Sequence, residues 1–483
     1  MYLKALILLL LPLSMAAQNT IQLTLWESIK MAQDFSPEAR AAEHTYRAAY
    51  WSYRAYKANY LPGVSLVSTP FLNRQINKIT QPDGTEQFIR QNQLSTNLSL
   101  EISQNIWFTG GNVFVQTGTQ RIDELSSKSK SYSTIPFSIG YSQSIFGYNS
   151  LKWDRKIEPV RFKEARKTYA ETLELISAKT CELFFNLATA QANLKIAEAN
   201  YASADTLYRY ARGRYEIGSI TENEMLQLEV NKLNEETNMM KASIEVDDAM
   251  LTFRSFLGIR DGTEIEVTLN PEDIEPFEVP LDKALALAYE NSPEMETYER
   301  LRLESKSNLA AARAERGLKA DLYLQFGLSQ TGNELLVSYR NPMNQQYVSL
   351  SLAVPILDWG KGKGKVRVAK SQIELVETQV GQALTDFELN VHKMVRQFNL
   401  QAKQVEVAIK TDETARKRYD VAMKLYLMGK SSILDLNAAT AEKDSARRNC
   451  LSAMKTYWTL YFGLRSMTQY DFRNGCEIEI SYL

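Results

Sequence analysis

The sequence predicts an internally duplicated α+β membrane protein, built from long α-helical hairpins and amphipathic β-strands that contribute to a shared β-barrel. Three observations predict it. One unit is written twice along the 483 residues. Each copy holds one long continuous run of helical text ending at a glycine, 151–217 and 362–428. Alternating apolar and polar text is concentrated before those helices, at the spacing of strands with one oily face.

The chain opens with "MYLKALILLLLPLSMAAQ", a lysine, an apolar run and small residues. This is a secretory signal, expected to end near residue 17. No later run is apolar for the eighteen residues that a membrane-spanning helix needs. An exported chain without such a helix could be periplasmic, secreted or an outer-membrane barrel.

The duplication is read from "LWESIKMAQDFSPEA" (25–39) against "LDKALALAYENSPEM" (281–295), an offset of 256. Further on, "YSQSIFGYN" (141–149) falls on "LAVPILDWG" (352–360), and Tyr215 and Gly218 fall on Tyr426 and Gly429, all at 211. The difference, 256 − 211 = 45 residues, is extra chain in the first copy before residue 141. The divisions expected are a signal (1–17), a first repeat (18–257), a linker (258–280), a second repeat (281–465) and a tail (466–483). A short linker strand near Ile265 to Leu269 is expected to join the tail in a belt.

Within each repeat the order is helix, strands, long helix, glycine break and returning helix, the last at 221–257 and 432–463. At about 1.5 Å per residue the long helices would reach about 100 Å. Leu173, Ile176, Leu183, Leu187, Leu194 and Ala197 step by three, four or seven, and Phe184, Phe185 and Ala188 add a second apolar face. Such a helix needs neighbours on two sides. Leu98, Leu100 and Ile102, Ile135, Phe137 and Ile139, and the run Leu322 to Leu328 alternate with polar residues; so does 346–354. Periodicity alone also allows a soluble half-buried sheet. The signal segment and the small hydroxylated polar faces favour the barrel. The extra 45 residues contain "NIWFTGGNVFVQTG" (105–118), a hairpin-like stretch that could enlarge the barrel or fold outside it.

Gly218 and Gly429 let one helix stop and the next begin. Thr221 and Ser432 are candidate caps, with Glu222 and Glu224 or Asp435 in the first turn behind them.

A net charge of −1 excludes a nucleic-acid partner. His44 and His392 stand alone, and Cys181, Cys450 and Cys476 fit no metal or disulfide spacing and read as packing residues. No carboxylate pair is flanked by a nucleophile or base, so no enzyme, cofactor or metal site is expected. "WGKGKGKVR" (359–367) fails as a phosphate loop, because Val366 stands where Ser or Thr is required. A strand-to-helix corner at lipid headgroups suits its lysines better.

Together, the signal, the duplication, the paired "SPE", Leu61-Pro62, "PILDWG" (355–360) and the two Y-x-x-G-x-x-[ST] tips resemble the TolC family of outer-membrane efflux proteins. Lys319, where the family often has proline, departs from its pattern, and the 45-residue insertion resembles Bacteroidetes variants. The resemblance implies a homotrimer with one β-barrel in outer-membrane lipid and one helical tunnel in the periplasm. Four to six strands cannot close a barrel, and an open edge is intolerable in lipid, so several copies must close it together. The resemblance also implies an aperture at the tips, with Asp435, Tyr426 and Glu224 as gate candidates. Ala438 replaces a second family acidic position, and Ser431, beside Lys430, a basic latch. Tyr215, Gly218, Thr221, Tyr426, Gly429 and Ser432 are candidate contacts for a periplasmic adaptor protein, which would link the duct to an inner-membrane pump of the RND or ABC type in efflux or type I secretion. The rival reading is a periplasmic coiled-coil scaffold or adaptor without channel activity.

Overall fold

The computed structural model describes residues 20–259, 262–269, 274, 277–428, 430–431 and 433–479, without the side chains of 426, 427 and 433. The expected signal segment, Gly429 and Ser432 lie outside the described residues.

β1 (Thr20–Leu23) leads into α1 (Leu25–Phe35) and α2 (Pro37–Ala58). Four strands follow, β2 (Gly63–Thr80), β3 (Glu86–Ile106), β4 (Gly111–Glu124) and β5 (Ser129–Ser144), then α3 (Ser150–Glu216) and α4 (Glu222–Leu257). After β6 (Glu264–Val267) come α5 (Leu281–Asn291), α6 (Pro293–Arg316), β7 (Lys319–Gly332), β8 (Met343–Ala353), α7 (Lys361–Leu427) and α8 (Ile433–Thr468). β9 (Tyr470–Asp471) and β10 (Cys476–Glu477) end the described chain.

The duplication is kept to the residue. α3 and α7 have 67 residues each, α4 and α8 have 36, and both ends of each pair keep the offset of 211. The "SPE" signature is a helix-to-helix corner. Ser36 ends α1 with its N–H on the Ala32 carbonyl, and its hydroxyl then accepts from the Ala39 N–H in the first turn of α2. Pro37 takes the first helical position, where its missing N–H costs nothing. Ser292 and Pro293 hold the same places between α5 and α6.

The chain packs as two compact units that do not follow the repeats, since each repeat contributes to both. The unit of residues 46–166 and 293–386 contains one antiparallel sheet, ordered β2-β3-β4-β5-β7-β8. Lys319 at the start of β7 stands at the offset of 256 from Gly63 at the start of β2, and β8 lies within the image of β5 at the offset of 211. The inserted residues therefore form β3 and β4 in the middle of the sheet. Beside the sheet, Phe162 of α3 stacks on Tyr53 of α2 at 4.6 Å, and Arg300 of α6 forks onto Glu164 of α3 at 2.5 and 3.0 Å.

The other unit is helical, with Phe184, Phe253, Leu257, Phe398, Tyr457 and Tyr461 fully buried. Here β6 pairs in parallel with β1. Its other edge is occupied by Gln191 of α3, which donates to the Ile265 carbonyl at 2.7 Å and accepts from the Val267 N–H at 3.2 Å. β9 and β10 form their own hairpin, anchored by Asp471. That carboxylate accepts from the Tyr461 hydroxyl at 2.6 Å, the Arg465 guanidinium at 3.1 Å and the Asn474 N–H at 3.0 Å. Arg465 also forks onto buried Glu174 at 2.8 and 3.1 Å. Cys181 and Cys450 are buried as packing residues should be, but Cys476 is exposed.

Candidate functional site

The first α-helical hairpin turns at its glycine by a defined hydrogen-bond pattern. Gly218 has φ +72°; its N–H reaches the Tyr215 carbonyl and the Ser219 N–H reaches the Arg214 carbonyl, both at 2.8 Å. This pair of bonds satisfies carbonyls that the end of α3 would otherwise leave open. At the second tip the Lys430 N–H reaches the Leu425 carbonyl at 2.9 Å, the image of the Ser219–Arg214 bond in the repeat register. Thr221 caps α4: its hydroxyl accepts from the Glu224 N–H, and the Glu224 carboxylate accepts from the Thr221 N–H at 2.9 Å. The candidate gate residue Glu224 is thus engaged in its own helix cap. Asp435, exposed in the first turn of α8, accepts from the Ser431 hydroxyl at 3.2 Å. Tyr215 is exposed, and Tyr426 sits in the last turn of α7.

Behind the tips, the two hairpins carry a matched cross-link that sequence reading missed. Lys232 of α4 lies over the Tyr208 ring of α3 at 5.5 Å, and Lys443 of α8 over the Tyr419 ring of α7 at 4.1 Å. Both residues of the second pair follow the first by 211, so extending the repeat register along the returning helices would have found them. Lys232 also meets Asp205 at 2.6 Å, and this hydrogen bond holds the Asp205 carboxyl below its usual range and the Lys232 ammonium above its own. In the second hairpin the extra pairs are different: Arg418 with Glu442, and Arg447 with Asp412 at 3.2 Å. A cleft of about 690 Å³, lined by Asn200, Ala204, Asn231, Tyr419, Leu436 and Asp444 among others, runs beside these pairs, and Asn200 donates to Asp444 across it at 3.2 Å.

The sheet separates its two faces by chemistry. One row of directly paired residues reads Val64, Ile102, Val115, Ile139, Phe326, with Gln346 as its last member in β8. The neighbouring row on the other face reads Ser103, Phe114, Gly140, Gln325, Tyr347. Val348 and Leu352 of the apolar face are each 63 % exposed, whereas Ser138 and Gln325 of the polar face are 0 % and 8 % exposed. Gly140 has a packing reason: a Cβ there would lie 2.1 Å from the Phe114 ring. Such a broad exposed apolar face needs a partner, lipid or protein. Among the described residues no helix is long and apolar enough to cross a membrane.

The rejected phosphate-loop segment also finds its role. Asp358 accepts from the Gly362 and Gly360 N–H groups at 2.7 and 2.9 Å, and these bonds, in that order, hold its carboxyl below its usual range. The "DWG" motif is therefore a cap for α7. Lys361, Lys363 and Lys365 are exposed just behind it, and Lys365 pairs with Glu315 at 2.7 Å. No group of metal-ligating side chains occurs among the described residues.

A family model described as outer membrane efflux protein matches residues 110–259 and 284–468. Comparison with curated proteins finds no match. Among solved structures, the CmeC outer membrane channel of Campylobacter jejuni shares the fold at 14 % identity and TM-score 0.64, covering 95 % of this chain and 87 % of that one. The outer membrane protein VceC of Vibrio cholerae does so at 12 % identity and TM-score 0.63, covering 93 % and 96 %. The MtrE outer membrane channel of Neisseria gonorrhoeae, solved in its open state, does so at 16 % identity and TM-score 0.57, covering 92 % and 88 %.

Proposed function

This chain belongs to the outer membrane efflux protein family, and we propose that it is the outer-membrane exit duct of a tripartite efflux or type I secretion system. The family and the structures that share the fold are channels rather than enzymes, and the family places the chain in the outer membrane. In the proposed reading three copies enclose one conduit, and the hairpins of α3–α4 and α7–α8 form its periplasmic tunnel. The observation that carries it is the six-stranded sheet: one face is apolar and exposed, the other polar and sheltered, and its edge strands β2 and β8 each lack a second partner strand among the described residues. Unpaired backbone at such an edge costs several kcal/mol per group in lipid, so the sheet must be closed by further copies.

The helical tips are the proposed gate. Three symmetry-related Asp435 side chains would ring the aperture, where crowded like charges attract cations. Glu224 is the weaker gate candidate, because its carboxylate is already held by the cap of α4. Tyr215, Gly218 and Thr221 on one tip, with Tyr426, Gly429 and Ser432 on the other, are proposed to receive a periplasmic adaptor, and through it an inner-membrane pump of the RND or ABC type. Cargo would be set by that pump.

The test uses the full chain extracted in detergent. It is expected to have the mass of a trimer and to pass ions across a planar lipid bilayer. A monomer that passes none would overturn the reading.

A further inference from the structure

We propose that the barrel wall of this protein has 18 strands, six from each of three copies, with β8 of one copy paired to β2 of the next in the register of the β5–β7 junction. The strand number and the seam go beyond the duct reading and rest on its trimer.

The inserted strands are not appended to the sheet. β3 is hydrogen-bonded to β2 and β4, and β4 to β3 and β5, so a wall that contains β2 and β5 contains the insertion as well. The direction of the edges also fits. All five pairings within the sheet are antiparallel, and six strands is an even number, so β2 and β8 run in opposite directions. An identical copy can therefore add its β2 to this β8 with the alternation unbroken, a head-to-tail contact that closes under rotation. The polar face is the sheltered one and the apolar face the exposed one, as on a sheet curved around water.

The duplication then supplies the register. β5 ends the strands of the first repeat and β7 begins those of the second, so the β5–β7 junction is the internal version of the seam between copies. There, Gly140 pairs with Gln325, Ile139 with Phe326 and Phe137 with Leu328. Adding 211 to the β5 positions and subtracting 256 from the β7 positions pairs Ser351 with Thr69, Leu350 with Pro70 and Val348 with Leu72. These seam partners match in face: Val348, Leu350, Pro70 and Leu72 fall on the apolar side, Ser351 and Thr69 on the polar side. Eighteen strands put the barrel in the size class that leaves an aqueous channel unless loops plug it.

The test is oxidative cross-linking of the full chain in its own outer membranes, in a Cys476→Ser background that removes the exposed thiol. Ser351→Cys with Thr69→Cys is expected to give covalent dimers and trimers. Ser351→Cys with Ser68→Cys is expected to give none, because the one-residue shift turns the second thiol to the other face. Single-particle imaging of the unmodified trimer, which needs no variant to fold, is expected to show 18 strands. A trimer that conducts ions but shows 12 strands, with β3 and β4 outside the wall, overturns the strand number. A conducting trimer without the Ser351–Thr69 link overturns the register. Both results leave the duct intact, whereas a non-conducting monomer overturns duct and barrel together.

Discussion

Gly258 and Gln469 hold the same place in the two repeats, at the offset of 211, and both have positive φ, +79° and +52°. The fold demands a left-handed residue just beyond each returning helix, even where the sequence does not supply glycine. The demand is not equal at all such points. A Cβ on Gly258 would lie 3.1 Å from the Phe35 carbonyl oxygen, whereas one on Gly218 would meet nothing within 4 Å. The backbone penalty for alanine in the left-handed region is roughly 1–2 kcal/mol. Gly218→Ala is expected to cost about that much, and Gly258→Ala more, because backbone must also move. Thermal dissociation of the two variant trimers ranks them, and equal midpoints would show that the Phe35 contact is relieved without cost. At the tip, Asp435→Asn removes the proposed ring of charge. Divalent-cation block of conductance is expected to weaken by about tenfold, equivalent to about 1.4 kcal/mol. Unchanged block would place the constriction elsewhere.

Helices, tips and strand text were legible because each rests on local chemistry: the glycine ends of α3 and α7, the Thr221 cap, the alternation in β3, β5, β7 and β8. The partners of β6 were not, because so short a strand takes whatever edge the fold brings it, and here that is β1 on one side and Gln191 on the other. The Lys232–Tyr208 and Lys443–Tyr419 contacts were within reach of the repeat register but not of composition. The place of β3 and β4 depended on pairings between segments that carry no mark of their partners. Two element-level predictions follow from this packing. Thr221→Ala should lower the stability of α4 by about 1 kcal/mol, seen as faster amide exchange in its first turn with the far end of α4 unchanged. The tail corner should be acid-sensitive. Burial pushes the Asp471 carboxyl up, but the Tyr461 hydroxyl, the Asn474 N–H and the Arg465 charge outweigh it, so its pKa lies below the usual value. A folded-state pKa below the unfolded one, about 3.9, contributes stability above that pH that is lost as pH falls through the folded value. Facing it on α3, Glu174 is pushed up by burial despite Arg465, so the acid loss is assigned by comparison with Asp471→Asn. That variant should be less stable than the parent at neutral pH, and the gap should shrink below about pH 4; a gap independent of pH would exclude Asp471 as its source.

In the proposed reading, a chain whose sheet has two open edges among the described residues and an exposed apolar face cannot finish folding alone in lipid, so for the whole molecule folding and assembly become one equilibrium. The second apolar face read on α3 adds nothing to this, because Phe184, Phe185 and Ala188 are already buried within the single chain. If three copies unfold and separate in one step, the unfolding midpoint must depend on protein concentration. Each tenfold rise in concentration should add on the order of 2.7 kcal/mol per trimer, two factors of about 1.4 kcal/mol, because one particle becomes three. Denaturant titration in detergent at two concentrations tenfold apart should therefore show the midpoint move upward, with loss of trimer on a gel and loss of conductance at the same denaturant. Coincidence of those two losses is the sharper part of the prediction. If conductance vanished while the trimer persisted, the conduit would depend on a local element such as the tips. If the midpoint ignored concentration, a single chain would carry its own stability, and the open sheet would have to be closed by something other than its neighbours.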